Sequence, residues 1–358
     1  MRQKLPDFPW DALAPYGAIA RTHPEGAIDL SVGTPVDPTP EFIQSAFSAA
    51  ANSPSYPVTV GTPELRDAIT TWAKQTLGAT GDFGVLPLIG SKEFVAWLPT
   101  FIEAQSVLYP DVAYPTYLVG ALLAESAPTA VNLDASNWPV ADMAWVNSPS
   151  NPTGRVHSAS EYRSAIAWSR KNKSVLVSDE CYLEFGDSVK PTSIFHHTDG
   201  DNTNILGVYS LSKRSSMAGY RAAFVVGDPQ LIAKILEVRK HAGMMVPLPV
   251  QKAMVAALSD DTHVAEQRAR YNARRAKLVP ALISAGFTIE NSEAGLYIWA
   301  SRNENCWDSV AWLADLGIIA TPGIFYGELG ARYIRIAMTA TDEQIHTAAD
   351  RIHAKMGA

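Results

Sequence analysis

The run Tyr209-Ser210-Leu211-Ser212-Lys213-Arg214-Ser215-Ser216-Met217-Ala218-Gly219-Tyr220-Arg221 decides how the rest of the chain is read. It follows residues 205–209, an apolar run long enough only for a buried strand. A loop leaving such a strand emerges at a sheet edge, where α/β proteins place ligands. A lysine placed there loses water around its amine and becomes less basic, as imine chemistry requires. Ser210, Ser212 and Arg221 add two hydroxyls and a fork-shaped cation, a set suited to phosphate. Alone, the run also fits an ordinary Ser/Lys-rich surface loop.

Three other stretches carry chemistry of the same kind. In Val175-Leu-Val-Ser-Asp179-Glu-Cys181-Tyr182, Asp179 ends an apolar strand, where an unpaired carboxylate is costly. A bound cation would offset that cost, as would a nearby arginine or a helix N-terminus. Tyr182 reaches the same ligand or packs, and Cys181 reads as a small core residue. In Asn147-Ser-Pro149-Ser-Asn151-Pro152-Thr-Gly154, two X-Pro bonds make a rigid turn, and either can be cis. Asn151 is then held with its amide able to donate to an oxygen, unless the turn binds nothing. Gly90-Ser91-Lys92-Glu93 lies between an apolar run and a helical pattern. It offers backbone N–H groups and a positive dipole end to a phosphate, or simply an N-cap at Ser91.

Around these stretches the chain alternates helix and strand from about residue 46, which predicts an α/β fold with a largely parallel sheet. Gly61-Thr62-Pro63 supplies a turn, an N-cap and a first-turn proline, and Leu65, Ile69, Trp72, Ala73 and Thr76 mark one helical face. Ser158 and Glu161 form a capping box opening a helix to about Asn172. Runs at 175–177, 205–209 and 222–226 read as buried strands. A long helix over 263–285 stops at Gly286; strands at 287–289, 296–300 and 333–337 and helices at 307–316 and 342–356 follow, suggesting a second, smaller α/β domain. Residues 1–45, rich in proline, read as an irregular arm with a strand at 28–32. The expected division is a large domain over 46–250, with 1–45 and 251–358 forming the arm and the small domain. Arg268, Arg270, Arg274 and Arg275 read as a solvated helix face with paired charges.

Composition narrows the class. With 358 residues, 47% hydrophobic and 18% charged, the chain is neither disordered nor a coiled coil. At roughly 150 residues per domain it holds two to three domains. A net charge of −7, with no Lys/Arg block, argues against a nucleic-acid partner. No apolar run approaches the ~20 residues of a membrane span, and no secretory signal is visible. Two cysteines, Cys181 and Cys306, are too few for a disulfide framework or a metal cluster. A soluble cytoplasmic enzyme without a metal, acting on small molecules, is expected.

In chain order, the four stretches resemble the fold-type I, pyridoxal-phosphate-dependent aminotransferases of class I/II, over nearly the whole length. The resemblance implies a large domain with a mostly parallel sheet, a smaller α/β domain and pyridoxal 5′-phosphate as cofactor. It implies that Lys213 is the lysine joined to the cofactor, that Asp179 pairs with the ring nitrogen, and that Tyr182 and Asn151 bond the ring 3′-oxygen. Ser91, the Lys92 backbone N–H, Ser210, Ser212 and Arg221 would surround the phosphate, and Tyr114, in Ala113-Tyr114-Pro115, would stack on the ring. Gly33 and Arg335 match the groups that receive the substrate α-carboxylate. Tyr56 matches a tyrosine that reaches the neighbouring subunit's phosphate, implying a homodimer. The usual G-x-R-x-G reads Gly219-Tyr-Arg221-Ala-Ala223 here, which removes a glycine but no ligand. Gly-Ser-Lys-Glu and Ser-Leu-Ser-Lys-Arg-Ser look most like the N-succinyldiaminopimelate aminotransferases of actinobacteria. That implies glutamate and an N-succinyl keto acid of lysine biosynthesis as substrates, with Arg21 and Arg214 as candidates for the distal group. An aminotransferase for another amino acid, a β-C–S lyase and a non-catalytic cofactor-binding regulator are the alternatives on the same scaffold.

Overall fold

The structure, a computed structural model, describes residues 5–356. Strand β1 (Ile28–Asp29) leads into seven strands that form one sheet: β2 (Gly84–Leu88), β3 (Ser106–Pro110), β4 (Ala127–Val131), β5 (Met143–Asn147), β6 (Val175–Asp179), β7 (Ile205–Ser210) and β8 (Ala223–Gly227). Then come β9 (Thr288–Ile289), β10 (Tyr297–Ser301), β11 (Ile318–Ile319), β12 (Thr321–Pro322) and β13 (Ile334–Ala337).

The large sheet has the order β2-β8-β7-β6-β5-β3-β4, and only β8 runs against the others. Six C-terminal strand ends therefore share one edge, and β8 starts there. Helices cover both faces, so β5 to β8 are buried throughout, which is why they read as unbroken apolar runs. Alternate residues serve opposite cores: Leu176 faces the helices Pro63–Thr76, Ala159–Asn172 and Leu248–Leu258, while Val175 and Val177 face Ser91–Phe101, Thr116–Leu123 and Pro229–Ala242. A third core gathers around the antiparallel sheet β12-β13-β10-β9 and the helices Thr262–Ser284, Cys306–Asp315 and Asp342–Met356.

The local signals act as their chemistry predicts. Thr62 Oγ1 accepts the Leu65 N–H, and Leu65, Ile69, Trp72 and Ala73 are buried. Ser158 and Glu161 close both bonds of the capping box. Both Ser148-Pro149 and Asn151-Pro152 are cis. The residues 46 and 250 fall inside the helices Glu41–Ala49 and Leu248–Leu258, and Ile43 and Val250 pack in the core of the large sheet. No helix among the described residues is long and apolar enough to cross a membrane.

Two expectations need correction. The arm is not irregular: it holds a helix at Ala14–Ala20, and β1 pairs in parallel with β11. The partner strand lies almost at the far end of the chain, so no local pattern announces the pairing. Nor are Arg274 and Arg275 solvated, because the long helix packs between the arm and the small sheet. Arg274 is held by Asp37 at 2.7 Å and Asp342 at 2.6 Å, and Arg275 donates to the carbonyls of Ser292, Gly295 and Tyr297. Arg268 and Arg270 are exposed as expected.

Candidate active site

The shared strand edge opens into a cavity of about 550 Å³, within the usual range for small-molecule sites. Ser210 ends β7 and its Oγ accepts the Ser212 N–H at 3.2 Å, so the expected loop begins as a helical turn, Leu211–Arg214. That turn carries Lys213, whose amine donates to the Gly33 carbonyl. Burial brings the Lys213 ammonium down to about 8; the guanidinium groups of Arg335 and Arg221 push the same way.

Asp179 ends β6, in register with Asn147 on β5. Its balance comes from neither an arginine nor a helix N-terminus: the Tyr117 hydroxyl donates at 2.8 Å and the Cys181 N–H at 3.2 Å. Burial raises its pKa, these bonds oppose the rise, and no cation pairs with it among the described residues. Cys181 is not a core residue but half-buried, lining the cavity beside Asp179.

Asn147 ties this edge together. Its amide donates to the Asp179 carbonyl at 2.8 Å, and its oxygen accepts the Asn151 N–H at 2.7 Å. Asn151 Oδ1 accepts from Arg335 at 2.9 Å, which leaves the Asn151 amide nitrogen to the cavity. Arg335 is 3% exposed rather than a surface ion pair. It also donates to the Ser31 carbonyl and lies 4.1 Å from the centre of the Tyr297 ring. Arg335 and Tyr297 are diagonal neighbours on one face of β13 and β10, which explains the stacking.

Two glycines are fixed by crowding. A Cβ on Gly33 would lie 2.2 Å from Tyr297 Oη, and that hydroxyl is 3.0 Å from Tyr182 Oη. Gly90, at φ +102°, is the N-cap of Ser91–Phe101, so Ser91 is the first helical residue rather than the cap. A Cβ on Gly90 would meet Arg221 Nη2 at 2.2 Å. Arg221 itself takes the left-handed conformation, at φ +55°. Ala223 is an extended residue of β8 opposite Ser210, so the missing glycine costs nothing there.

The cavity thus brings together Gly33, Ser91, Lys92, Tyr114, Asn151, Asp179, Tyr182, Ser210, Ser212, Lys213, Arg221 and Arg335. Tyr114 is edge-on to Tyr117, and burial pushes its phenol up to about 12. Tyr56 stands apart, 92% exposed and outside the lining. Arg214 cannot read a distal substrate group: it is 3% exposed and faces away, paired with Glu184 at 2.6 Å and Asp261 at 3.2 Å. Arg21 is exposed and not in the lining. Sequence reasoning missed Tyr117, Tyr297 and the Phe8–Trp10 wall. Tyr117 lies on the short helix Thr116–Leu123, three residues past Tyr114, which stands before that helix.

These groups fit pyridoxal phosphate. The helix start at Ser91 and Lys92 sits with the Ser210 and Ser212 side chains and Arg221, two of whose nitrogens have no hydrogen-bond partner among the described residues, as an anion cradle. Asp179 is a buried carboxylate without a cation, matched to a protonated ring nitrogen. Lys213 supplies a desolvated amine.

Comparison with known proteins agrees. The family model described as aminotransferase class I and II matches residues 25–352. The chain is 51% identical to a protein named a probable aminotransferase of Mycobacterium tuberculosis H37Rv, covering 97% of this chain and 85% of that one. It is 50% identical to the 4-dedimethylamino-4-oxo-anhydrotetracycline transaminase of Streptomyces rimosus, covering 98% and 99%. Among solved structures, a probable N-succinyldiaminopimelate aminotransferase of Thermus thermophilus superposes with a TM-score of 0.88 at 25% identity, covering 97% of this chain and 100% of the other.

Proposed function

The chain belongs to the class I and II aminotransferases, and on that footing we propose that it carries the amino group of glutamate to N-succinyl-2-amino-6-oxopimelate. The products are 2-oxoglutarate and N-succinyl-LL-2,6-diaminopimelate, a step of lysine biosynthesis. The enzyme is pyridoxal-phosphate-dependent and its substrates are amino and keto acids. The observation that carries the reading is a buried arginine, Arg335, in one cavity with Lys213 and Asp179. The likeness to the Thermus protein supports the choice of keto acid.

In this reading Ser91, the Lys92 N–H, Ser210, Ser212 and Arg221 would hold the phosphate and Tyr114 would flank the ring. Asp179 would favour a protonated ring nitrogen, and Tyr182 and Asn151 would serve the 3′-oxygen. When bound, the cofactor supplies the electron sink for charge developing at the substrate Cα. Arg335 and Gly33 take the α-carboxylate and so fix the direction of the Cα–H bond. Lys213, neutral at a lower pH than an ordinary lysine, takes the Cα proton at Nζ.

A panel of amino acceptors given to the pyridoxamine form tests the substrate. The N-succinyl keto acid is expected to have the highest kcat/KM. A preference for a bulky cyclic ketone, as the name of the Streptomyces relative suggests, would replace this reading. Release of pyruvate and ammonia without any acceptor would mark a β-lyase.

The enzyme works in this reading as a homodimer, with Tyr56 of each subunit reaching the other's phosphate. Its 92% exposure on a proline-flanked loop, beside exposed Val58, supports this. Mixed dimers of Tyr56→Phe and Lys213→Ala chains are expected to exceed both parents in activity, since the two lesions then meet in one site and leave the other intact. Verified heterodimers with no recovery would confine Tyr56 to its own subunit.

A further inference from the structure

A second cavity, of about 740 Å³, opens behind the turn that carries Lys213. Its wall contains a chain of three polar side chains. His263 Nδ1 lies 2.7 Å from an Asp260 carboxylate oxygen, and His263 Nε2 lies 2.8 Å from Ser215 Oγ. The carboxylate accepts, so Nδ1 carries the proton, and Nε2 of the neutral ring accepts from the Ser215 hydroxyl. Burial holds the His263 pKa below its ordinary value; Arg214 adds to this, while Asp260 and Glu184 oppose it. Asp–His–Ser in this order is the arrangement that activates a serine in hydrolases. Ser215 is 1% exposed, however, so no substrate carbonyl can reach its Oγ. The three residues form a strut.

The ends of the strut lie on the two elements that matter most to the site. Ser215 follows Lys213 by two residues. Asp260 lies in the joint, and His263 in the first turn beyond it, between Leu248–Leu258, packed in the large-sheet core, and Thr262–Ser284, packed in the small-sheet core. Arg214 doubles the tie through Glu184, Asp261 and, at 2.9 Å, the Ala257 carbonyl. Thr39 Oγ1 donates to the Ser216 carbonyl at 2.7 Å. The back of the lysine turn is thus fastened to the joint between the two cores.

We propose that His263 is a positioning residue for Lys213, holding the lysine turn through Ser215 so that the amine keeps its desolvated seat beside the Gly33 carbonyl. This rests on Lys213 being the cofactor lysine. Loss of the strut lets the turn relax and admits water, which favours the charged form of a nitrogen at Lys213.

The test is the pH midpoint of the visible band of the holoenzyme, read beside the thermal midpoint. Ser215→Ala and His263→Leu are each expected to raise the pH midpoint by about half a unit or more, and the double variant no further than the larger single one. His263→Gln, which keeps an acceptor for the Ser215 hydroxyl, is expected to restore the parental midpoint. Unchanged pH midpoints overturn the proposal whatever happens to thermal stability, and so do additive shifts. Should His263→Leu fail to fold, Ser215→Ala decides alone. Borohydride reduction of the parent distinguishes the two levels: cofactor fixed to a peptide without Lys213 removes the premise and the proposal together.

Discussion

Lys213→Ala is expected to abolish transamination, with a loss of about 10⁴-fold or more, because one change removes both the covalent anchor and the base for the Cα proton. The pH-dependent visible band should disappear, while Ser91, Ser210 and Arg221 still retain some cofactor. Borohydride reduction of the parent followed by peptide mapping should place the tag on Lys213. The pH dependence has a definite sign. In cofactor-free protein the amine is depressed to about 8 from the ordinary lysine value. Its neutral, nucleophilic form therefore grows as pH rises through about 8, and capture of added pyridoxal phosphate should accelerate over that interval. Over the same interval and on to the unfolded lysine value, the unfolded chain holds a proton that the folded one has released. The contribution of this group to stability accordingly rises with pH. A capture rate with its midpoint at the ordinary lysine value would contradict the desolvated seat.

Arg335→Lys is expected to lower kcat/KM by one to two decades, on the order of 1.5–3 kcal/mol for a charge-assisted hydrogen bond. Two of the five guanidinium donors hold Asn151 Oδ1 and the Ser31 carbonyl, which leaves three for a carboxylate. An ammonium cannot serve all these acceptors in the required directions, so the substitution also frees Asn151. Glutamate and its partner both carry the α-carboxylate. The defect should therefore be similar in the two half-reactions, measured by single-turnover kinetics. A loss confined to one substrate would mean that Arg335 reads the distal group instead.

The placement of the site was legible wherever its residues follow buried strands. Ser210–Lys213, Asp179 and Asn151 each sit just past an apolar run, and parallel strands deliver such positions to one edge. Gly90–Lys92 was legible for the same reason, although the cap lies one residue earlier than Ser91. Arg335 was legible only through family resemblance, since nothing near Tyr333-Ile-Arg335-Ile-Ala337 tells a cavity arginine from a surface one.

Side chains that meet across distant segments were not legible. Tyr297 and Gly33 are matched because a methyl group on one would strike the hydroxyl of the other. Tyr117 settles the Asp179 carboxylate from a helix 62 residues away in sequence, and Arg214, a candidate for the distal substrate group, is spent on Glu184 and Asp261.

The α/β alternation, the capped helices Pro63–Thr76 and Ala159–Asn172, and the position of Asp179 and Lys213 at or just past the ends of buried strands were legible in sequence alone, because hydrophobic period, capping and turn residues act over a few positions. The tertiary structure decided the pairing of β1 with β11, the burial of Arg274 and Arg275, and the strut behind Lys213. Each depends on which surfaces face one another after folding, and burial is what turns an ordinary charge or hydroxyl into a fixed and directional partner.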